Sequence, residues 1–406
     1  MPDTIGAMTP TQPARDGTRA VRAGLVAAVA YALIGWRGLL VPSLIRSVEP
    51  FFGRDDAGMG LYFLATALAY GVGSLVGGRL IRGLGPRIVL PLAMVLMGIG
   101  LIVQSLTDLW AVFVLFGVMV SLGASTADVG INALVLDQFP HARGRALNLI
   151  HVAYSTGALA APLTLAAVLA AGASWQLPLL CSGVAALVVA AALALTVPGE
   201  PVHIETVKDR EAGRNRLPTF LLVMALAVCF YVAAEAGVSD WLVRYLAPLP
   251  LAAAGTALTL YWGGIAVGRV VFARVGSRVE PLGTAATMAT AGGLALAVAI
   301  LAPIGPYTPL LFGAAGVAFG PVFPLIVAAA GSRMPGRSAT VTTTLIFAAV
   351  VGATVYPPAI GFLSVAVGLQ VAMAGTAVLA VLAGVTTFAS RRLGRQAGVL
   401  DPIRAR

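Results

Sequence analysis

Polar residues thin out along this chain into short clusters, and about twelve apolar runs lie between them. The runs cover 24–46, 57–80, 88–106, 109–136, 145–171, 175–197, 217–246, 251–273, 282–302, 307–332, 338–364 and 368–390. Each is close to the roughly 20 residues a helix needs to cross a bilayer. The pattern therefore predicts an all-α membrane protein with twelve transmembrane helices. The breaks after runs three and five, at Thr107-Asp108 and Ser174, leave very short turns.

Composition agrees with the pattern. Only 10% of the 406 residues are charged and 59% are hydrophobic. A soluble domain of that size could not cover its surface with so little polar material. The 47 glycines suit helices that approach closely in lipid. A net charge of +10 on a soluble protein would suggest nucleic acid. No stretch of interleaved aromatic and basic residues accompanies the charge here, so no nucleic-acid partner is expected. Cys181 and Cys229 lie inside apolar runs and read as small buried hydrophobes. The three histidines show no ligand spacing, so neither metal nor cofactor is expected.

Charge placement sets the organisation. Of 26 Lys and Arg residues, 22 fall at or beyond the ends of runs on one side if the N-terminus is inside; Arg46, Arg54 and Arg244 fall on the other side, and Arg37 lies deep within the first run. That bias predicts a multi-pass protein of the cytoplasmic membrane with both termini in the cytoplasm; its expected surroundings are the lipid bilayer and its expected state a monomer. Residues 1–20, rich in Pro, Thr and Arg, read as a disordered cytoplasmic tail. Ala28-Val29-Ala30 mimics a cleavage signature, but the apolar stretch before it is too short for a signal peptide. The longest polar link, 198–216, separates a six-helix bundle at 21–197 from another at 217–390, and 391–406 forms a basic cytoplasmic tail.

A repeat supports this division. Residues 70–87 align without gaps on 261–278, matching Tyr70/Tyr261, Gly73/Gly264, Val76/Val267, Gly77/Gly268, Gly85/Gly276 and Arg87/Arg278. Gly157-Ala158 with Pro162 is echoed by Gly352-Ala353 with Pro357. Two related halves around a central site are a transporter plan.

The turn GRLIRGLGPRIVL at 78–90 resembles the turn between helices 2 and 3 of the major facilitator superfamily, with Gly78, Gly85 and Arg87 in place and Arg82 where an acid usually stands. Within that superfamily the chain is similar to the fucose and glucose/galactose proton symporters. The likeness rests on Asp128, Asn132, Arg145, Asn148-Leu149, Tyr154 and Gly157, on Tyr231 with Glu235, on Gly268-Arg269, and on Pro324, Gly352, Pro357 and Gly361. It implies two pseudo-symmetric six-helix bundles and proton-linked transport of a sugar. The sugar-transporting members carry an acid four residues before a proline in helix 1; Gly38 holds that position before Pro42 here.

Three charges lie deep in apolar runs, where each costs roughly 2.5–3.5 kcal/mol on insertion scales. Counted along straight helices from the inner face, Asp128 sits about 14 Å deep, Arg37 about 22 Å and Glu235 about 28 Å. Asp128 reads either as a proton carrier or as a structural partner of Arg37 or Arg269. Glu235 reads as one side of an outer gate with Arg37, or as a polar anchor. Arg37 pairs with a carboxylate or binds an anionic substrate. Asp240 and Arg244, four apart near a helix end, read as an exposed pair. Asn132, Asn148, His151 and Tyr154 are candidate cavity residues, with His151 a candidate relay. Tyr231, Trp262 and Tyr261 could stack on a flat ligand or simply pack. Gln104 reads as a helix-end residue. Arg82, Arg87, Arg145, Arg269 and Arg278 form either a cytoplasmic latch or an orienting set that meets lipid headgroups.

The reading that results is a secondary transporter of a small solute, a sugar on the family resemblance, working by alternating access and coupled to protons. A proton-driven exporter of drugs or metabolites is the first alternative, favoured by alanine-rich helices and the absent helix-1 acid. A non-transporting receptor or scaffold is the second. No nucleophile–base spacing, phosphate loop or metal cluster points to an enzyme.

Overall fold

The computed structural model describes residues 12–139, 142–197, 217–275, 278–334 and 337–396. Its helices are α1 (Gln12–Gly38), α2 (Leu40–Phe51), α3 (Asp56–Leu84), α4 (Pro86–Leu106), α5 (Trp110–Gln138), α6 (Arg143–Ala170), α7 (Gln176–Thr196), α8 (Thr219–Tyr245), α9 (Leu251–Val275), α10 (Pro281–Leu301), α11 (Thr308–Phe319), α12 (Val322–Arg333), α13 (Ser338–Val367) and α14 (Leu369–Gln396). They make 12 spans long and apolar enough to cross a membrane, with α1–α2 and α11–α12 each counting as one. The even number puts both ends of the described chain on one face, here the termini face; the opposite one is the far face. Large side chains such as Leu75, Val188, Leu294 and Phe347 point outward from the bundle, as a lipid-facing surface requires.

Three expectations need correction. The first helix starts at Gln12, inside the tail read as disordered. Cys181 is exposed on α7 and Cys229 is half-buried, so neither is a core residue; a small thiol side chain is as content against lipid as against protein. Spans one and ten are broken rather than continuous. Each break stands four residues before a proline, Gly38 before Pro42 and Gly320 before Pro324, where the missing N–H leaves the glycine carbonyl without its helical partner. The link at 198–216 lies outside the described residues.

The halves repeat each other's packing. In the first, α4 packs on α5 and α7, α3 on α5, and α1 on α6 and α7; in the second, α10 packs on α11 and α14, α9 on α11, and α8 on α13 and α14. Three of the repeated glycine pairs stand at these matched crossings. A methyl group on Gly157 would overlap the Ala32 carbonyl where α6 meets α1, and one on Gly352 would overlap the Cys229 carbonyl where α13 meets α8. Gly73 and Gly77 bring α3 onto α5; Gly264 and Gly268 bring α9 onto α11. The glycine repeat in the sequence is thus a repeat of backbone contacts. Gly157→Val and Gly352→Val should each force a crossing apart, at about 1–3 kcal/mol or more, and lower the melting temperature in detergent. Gly83→Ala, with open space around it, is the control. Equal melting of all three would show that these crossings yield to a side chain.

Helix length varies among the spans, and three outer helices are short while their counterpart α14 has 28 residues. α4, α7 and α10 have 21 residues each, about 31 Å at roughly 1.5 Å per residue. The cleft helices are longer: α3 and α5 have 29 residues, and α13 has 30. The halves meet through α3–α13, α6–α9 and α2–α8. Between α3 and α4, Gly85 has φ +78° and bonds back to the Ile81 carbonyl, and Pro86 opens the next helix. A left-handed glycine followed by proline stops one helix and starts another within a single residue.

Candidate functional site

All described hydrogen bonds, ion pairs and ring contacts between side chains of opposite halves cluster toward the far face. Arg244 at the end of α8 bridges Glu49 of α2 at 2.6 Å and Asp56 of α3 at 2.9 Å. Arg46 Nη1 donates to the Leu249 carbonyl at 3.0 Å. Phe63 of α3 meets Trp241 of α8 edge-on at 5.6 Å, and Gly60 and Gly361 let the α3 and α13 backbones touch. The far face is closed, and the cleft between the halves opens toward the termini face.

The cleft carries polar groups at two depths. The layer nearer the termini face is built on Asp128 of α5. Its Oδ1 accepts from the Tyr31 hydroxyl of α1 at 2.7 Å and from Asn132 Nδ2 at 2.9 Å, and its Oδ2 accepts from the Tyr70 hydroxyl of α3 at 2.5 Å. Asn132 sits one turn along α5, so its amide also reaches the Asp128 carbonyl and the Tyr31 oxygen. Tyr31 packs against His151, with ring centroids 5.3 Å apart, and against Tyr154 at 5.3 Å, both on α6. Three helices therefore converge on one carboxylate, and α6 backs one of its tyrosines. Its partners are neutral; among the described residues no ion pair includes Asp128.

The second half holds Glu235 on α8. Its Oε2 accepts from the Tyr231 hydroxyl, which also approaches the Phe319 carbonyl at 3.1 Å. Tyr261 reaches the Glu235 backbone carbonyl at 3.4 Å. The matched tyrosines Tyr70 and Tyr261 thus each bond to an acid-bearing residue of their own half. Arg269 of α9 lies within electrostatic reach of Tyr231, Tyr154 and His151.

The deeper layer holds Arg37, which donates to Ser121. Ser121 precedes Asp128 by seven residues on α5, about 10 Å along its axis. That separation explains why Arg37 does not pair with Asp128; no described ion pair joins it to Glu235 either, contrary to expectation. The carboxylate facing it is Asp240, across the cleft on α8. A cavity of about 360 Å³ lies between them, lined also by Tyr62, Thr66, Gln104 and Val232. The expected Asp240–Arg244 pair does not form, because Asp240 faces this cavity while Arg244 turns to the far-face acids. Gln104, read as a helix-end residue, is fully buried and donates to the Phe113 carbonyl at 2.9 Å.

The other candidates lie further apart. Asn148 is exposed and stays outside the Asp128 cluster; Trp262 is half-buried. Tyr231 and Tyr261 are buried against Phe319, without a free ring face. Arg82, Arg87, Arg145 and Arg278 are exposed near the termini face, and among the described residues none forms an ion pair. Sequence reasoning missed Tyr31 and Tyr70 as ligands of Asp128, missed Glu49 and Asp56, and placed Asp240 in an exposed pair rather than at the cavity. Of these, Tyr70 alone left a signal, through its identity with Tyr261 in the repeat.

A family model described as Major Facilitator Superfamily matches residues 23–350. No curated protein sequence matches the chain significantly. Among solved structures, a bacterial homologue of the human lysosomal transporter Spinster, inward-facing and unoccupied, aligns with a TM-score of 0.77 at 16% identity, over 94% of this chain and 98% of that one. The same homologue in its occupied inward-facing form gives 0.72 at 17% identity, over 94% and 98%. A variant of the nucleoside transporter NupG gives 0.72 at 13% identity, over 92% and 99%. At these identities the structural likeness carries the fold, and the family match covers most of the sequence. Twelve spans, two halves packed alike and a polar cleft between them accord with that match, and the chain belongs to the Major Facilitator Superfamily: it is a membrane transporter, not an enzyme.

Proposed function

We propose that this transporter moves a small polar solute across the cytoplasmic membrane by alternating access, as a monomer, with both termini in the cytoplasm and with protons as the coupling ion. One observation carries the reading: a carboxylate in the cleft is held by neutral donors from separate helices, without a fixed cation. An acid locked to arginine keeps its charge. Asp128 can instead accept a proton, but its new O–H must then donate, and Tyr31 or Tyr70 must turn away or become the acceptor. Protonation therefore rewires the junction of α1, α3 and α5. Such a junction biases a two-state equilibrium through differential contacts. His151, edge-on to Tyr31, is the proposed relay toward the open side. Arg269, across the cleft, is the cation proposed to attract Asp128 or Glu235 when the halves rock, and the exposed arginines Arg82, Arg87, Arg145 and Arg278 the latch that closes the cytoplasmic side.

The inward-facing Spinster homologue shares the overall fold, and the far-face seam fits that posture here. The sugar reading rests on the resemblance to the fucose and glucose/galactose symporters. NupG, whose name gives nucleosides as its solute, widens the substrate classes to test. An exporter remains the second reading, favoured by the apolar part of the cavity wall at Phe63, Leu101 and Val120.

Reconstituted vesicles test the proposal. A gradient of one pH unit supplies about 1.4 kcal/mol per proton, enough for roughly tenfold accumulation at one proton per solute. Labelled sugars, nucleosides and amino acids should include one that accumulates on the alkaline side and leaks back when an uncoupler is added. Transport that ignores the gradient for every responding solute would overturn the coupling. Vesicles of opposite orientation separate import from export.

A further inference from the structure

The deeper chamber has an electrostatic pattern that no proton step needs. Arg37, from the first half, and Asp240, from the second, line one cavity and do not form an ion pair. The Arg37 guanidinium has spare donors beyond the one given to Ser121. Asp240 takes no hydrogen bond from any described residue; the cation within its electrostatic reach is Arg37, and the neutral Tyr62 lies near it as well. Gln104 is fully buried in the same lining, and its Oε1 is likewise without a donor. One cation and one anion thus face a shared space, with an unsatisfied neutral acceptor buried in its wall. The rest of the wall is largely apolar, including Val120, Val232 and Ala353.

Chemistry narrows what fits. A neutral sugar would strip water from both charges and give neither an ionic partner, an unfavourable exchange in a secluded site. A simple anion would satisfy Arg37 and face Asp240 as a like charge; a simple amine would do the reverse. A ligand carrying both charges satisfies both walls. The volume of about 360 Å³ falls at the small end of ligand pockets, roughly 300–1,000 Å³.

We infer that this chamber binds a small zwitterion, with its carboxylate on Arg37 and its ammonium on Asp240 and Gln104, and that the transported solute is an amino acid or a close analogue. The two charges sit on opposite halves, so the ligand bridges them and its binding is coupled to their approach. The inference rests on the transporter reading but not on proton coupling through Asp128.

Thermal stability of the purified full chain in detergent tests it, since a bound ligand raises the melting temperature by mass action. The probes are the protein amino acids at millimolar concentration, then the N-acetyl derivative and the methyl ester of each responder. Wild type should respond to at least one free amino acid and to neither of its derivatives. Arg37→Gln and Asp240→Asn should each weaken that response by roughly ten- to a hundredfold. Preference should also invert: Asp240→Asn should bind the N-acetyl acid better than wild type does, and Arg37→Gln the methyl ester. A merely structural role would not produce that crossed pattern. No response to any amino acid, or equal responses to acid, ester and N-acetyl form, overturns the inference, and the wild-type comparison decides even if a variant fails to fold. No proton gradient is present, so an amino-acid response here with gradient-blind vesicles would refute coupling alone. Gradient-driven transport of another solute class without an amino-acid response would refute the zwitterion site alone.

Discussion

Asp128→Asn abolishes gradient-driven accumulation, from roughly tenfold at one pH unit to none, while exchange of solute across the same vesicles continues. The amide is nearly isosteric with the carboxyl group. Its oxygen still accepts from Tyr31 or Asn132, and its NH₂ can donate to the Tyr70 oxygen, because a phenol both gives and takes hydrogen bonds. The junction of three helices therefore survives, and the halves can still rock with solute bound. What disappears is the exchangeable proton. The variant also removes a charge from membrane depth, where it is unfavourable by roughly 2.5–3.5 kcal/mol on insertion scales, so it should melt no lower than wild type. Accumulation and exchange measured side by side check this. Undiminished accumulation would move the coupling step to another acid, with Glu235 the first to examine. Loss of both activities in a well-folded variant would make Asp128 part of solute binding instead.

Arg244→Gln opens the far face. Glu49 and Asp56 have side chains only 8% and 11% exposed, and both rest on this one guanidinium, itself 32% exposed. Removing the partner of a fully buried ion pair is destabilising by about 3–5 kcal/mol; the partial exposure of Arg244 calls for a smaller figure, about 2 kcal/mol after screening. Even that changes a two-state ratio by roughly thirtyfold. The closed far face bears the whole penalty, because separating the halves lets water reach both acids. Arg46 alone, through its bond to Leu249, cannot offset it. Spin labels on the far-face ends of α2 and α8 should report a longer distance in the variant, and net transport should fall because the return step stalls. Unchanged distances would show that backbone contact at Gly60 and Gly361 holds the seam without the charges.

Span number and the pairing of the halves were readable in the sequence because both are written in repeated local signals. A run of about 20 apolar residues has few other meanings. Glycines at matched positions had to mark matched close approaches, and Gly157 with Gly352 do so. The grouping of Asp128 with Asn132 was readable too, being one helical turn. Azimuth was not. Position along a helix gives depth, but which neighbour a side chain faces depends on tilt and on breaks such as the one at Gly38. Hence Arg37 was assigned to acids of the wrong layer, and Arg244 to a neighbour on its own helix rather than to acids across the seam. Tyr31 and Tyr70 were hidden for a related reason: a tyrosine in an apolar run looks the same whether its hydroxyl meets a carboxylate or only packs.

The unequal helix lengths bear on how the membrane itself takes part. Three of the outer helices, α4, α7 and α10, at 21 residues, have no slack against a hydrocarbon layer of about 30 Å. The cleft-lining helices carry up to nine residues more and can lean without leaving the layer. Acyl-chain length therefore bears on the short outer staves first, and a thin or thick bilayer strains them before it strains the moving parts. The rate of rocking should follow lipid composition even where no lipid headgroup is recognised.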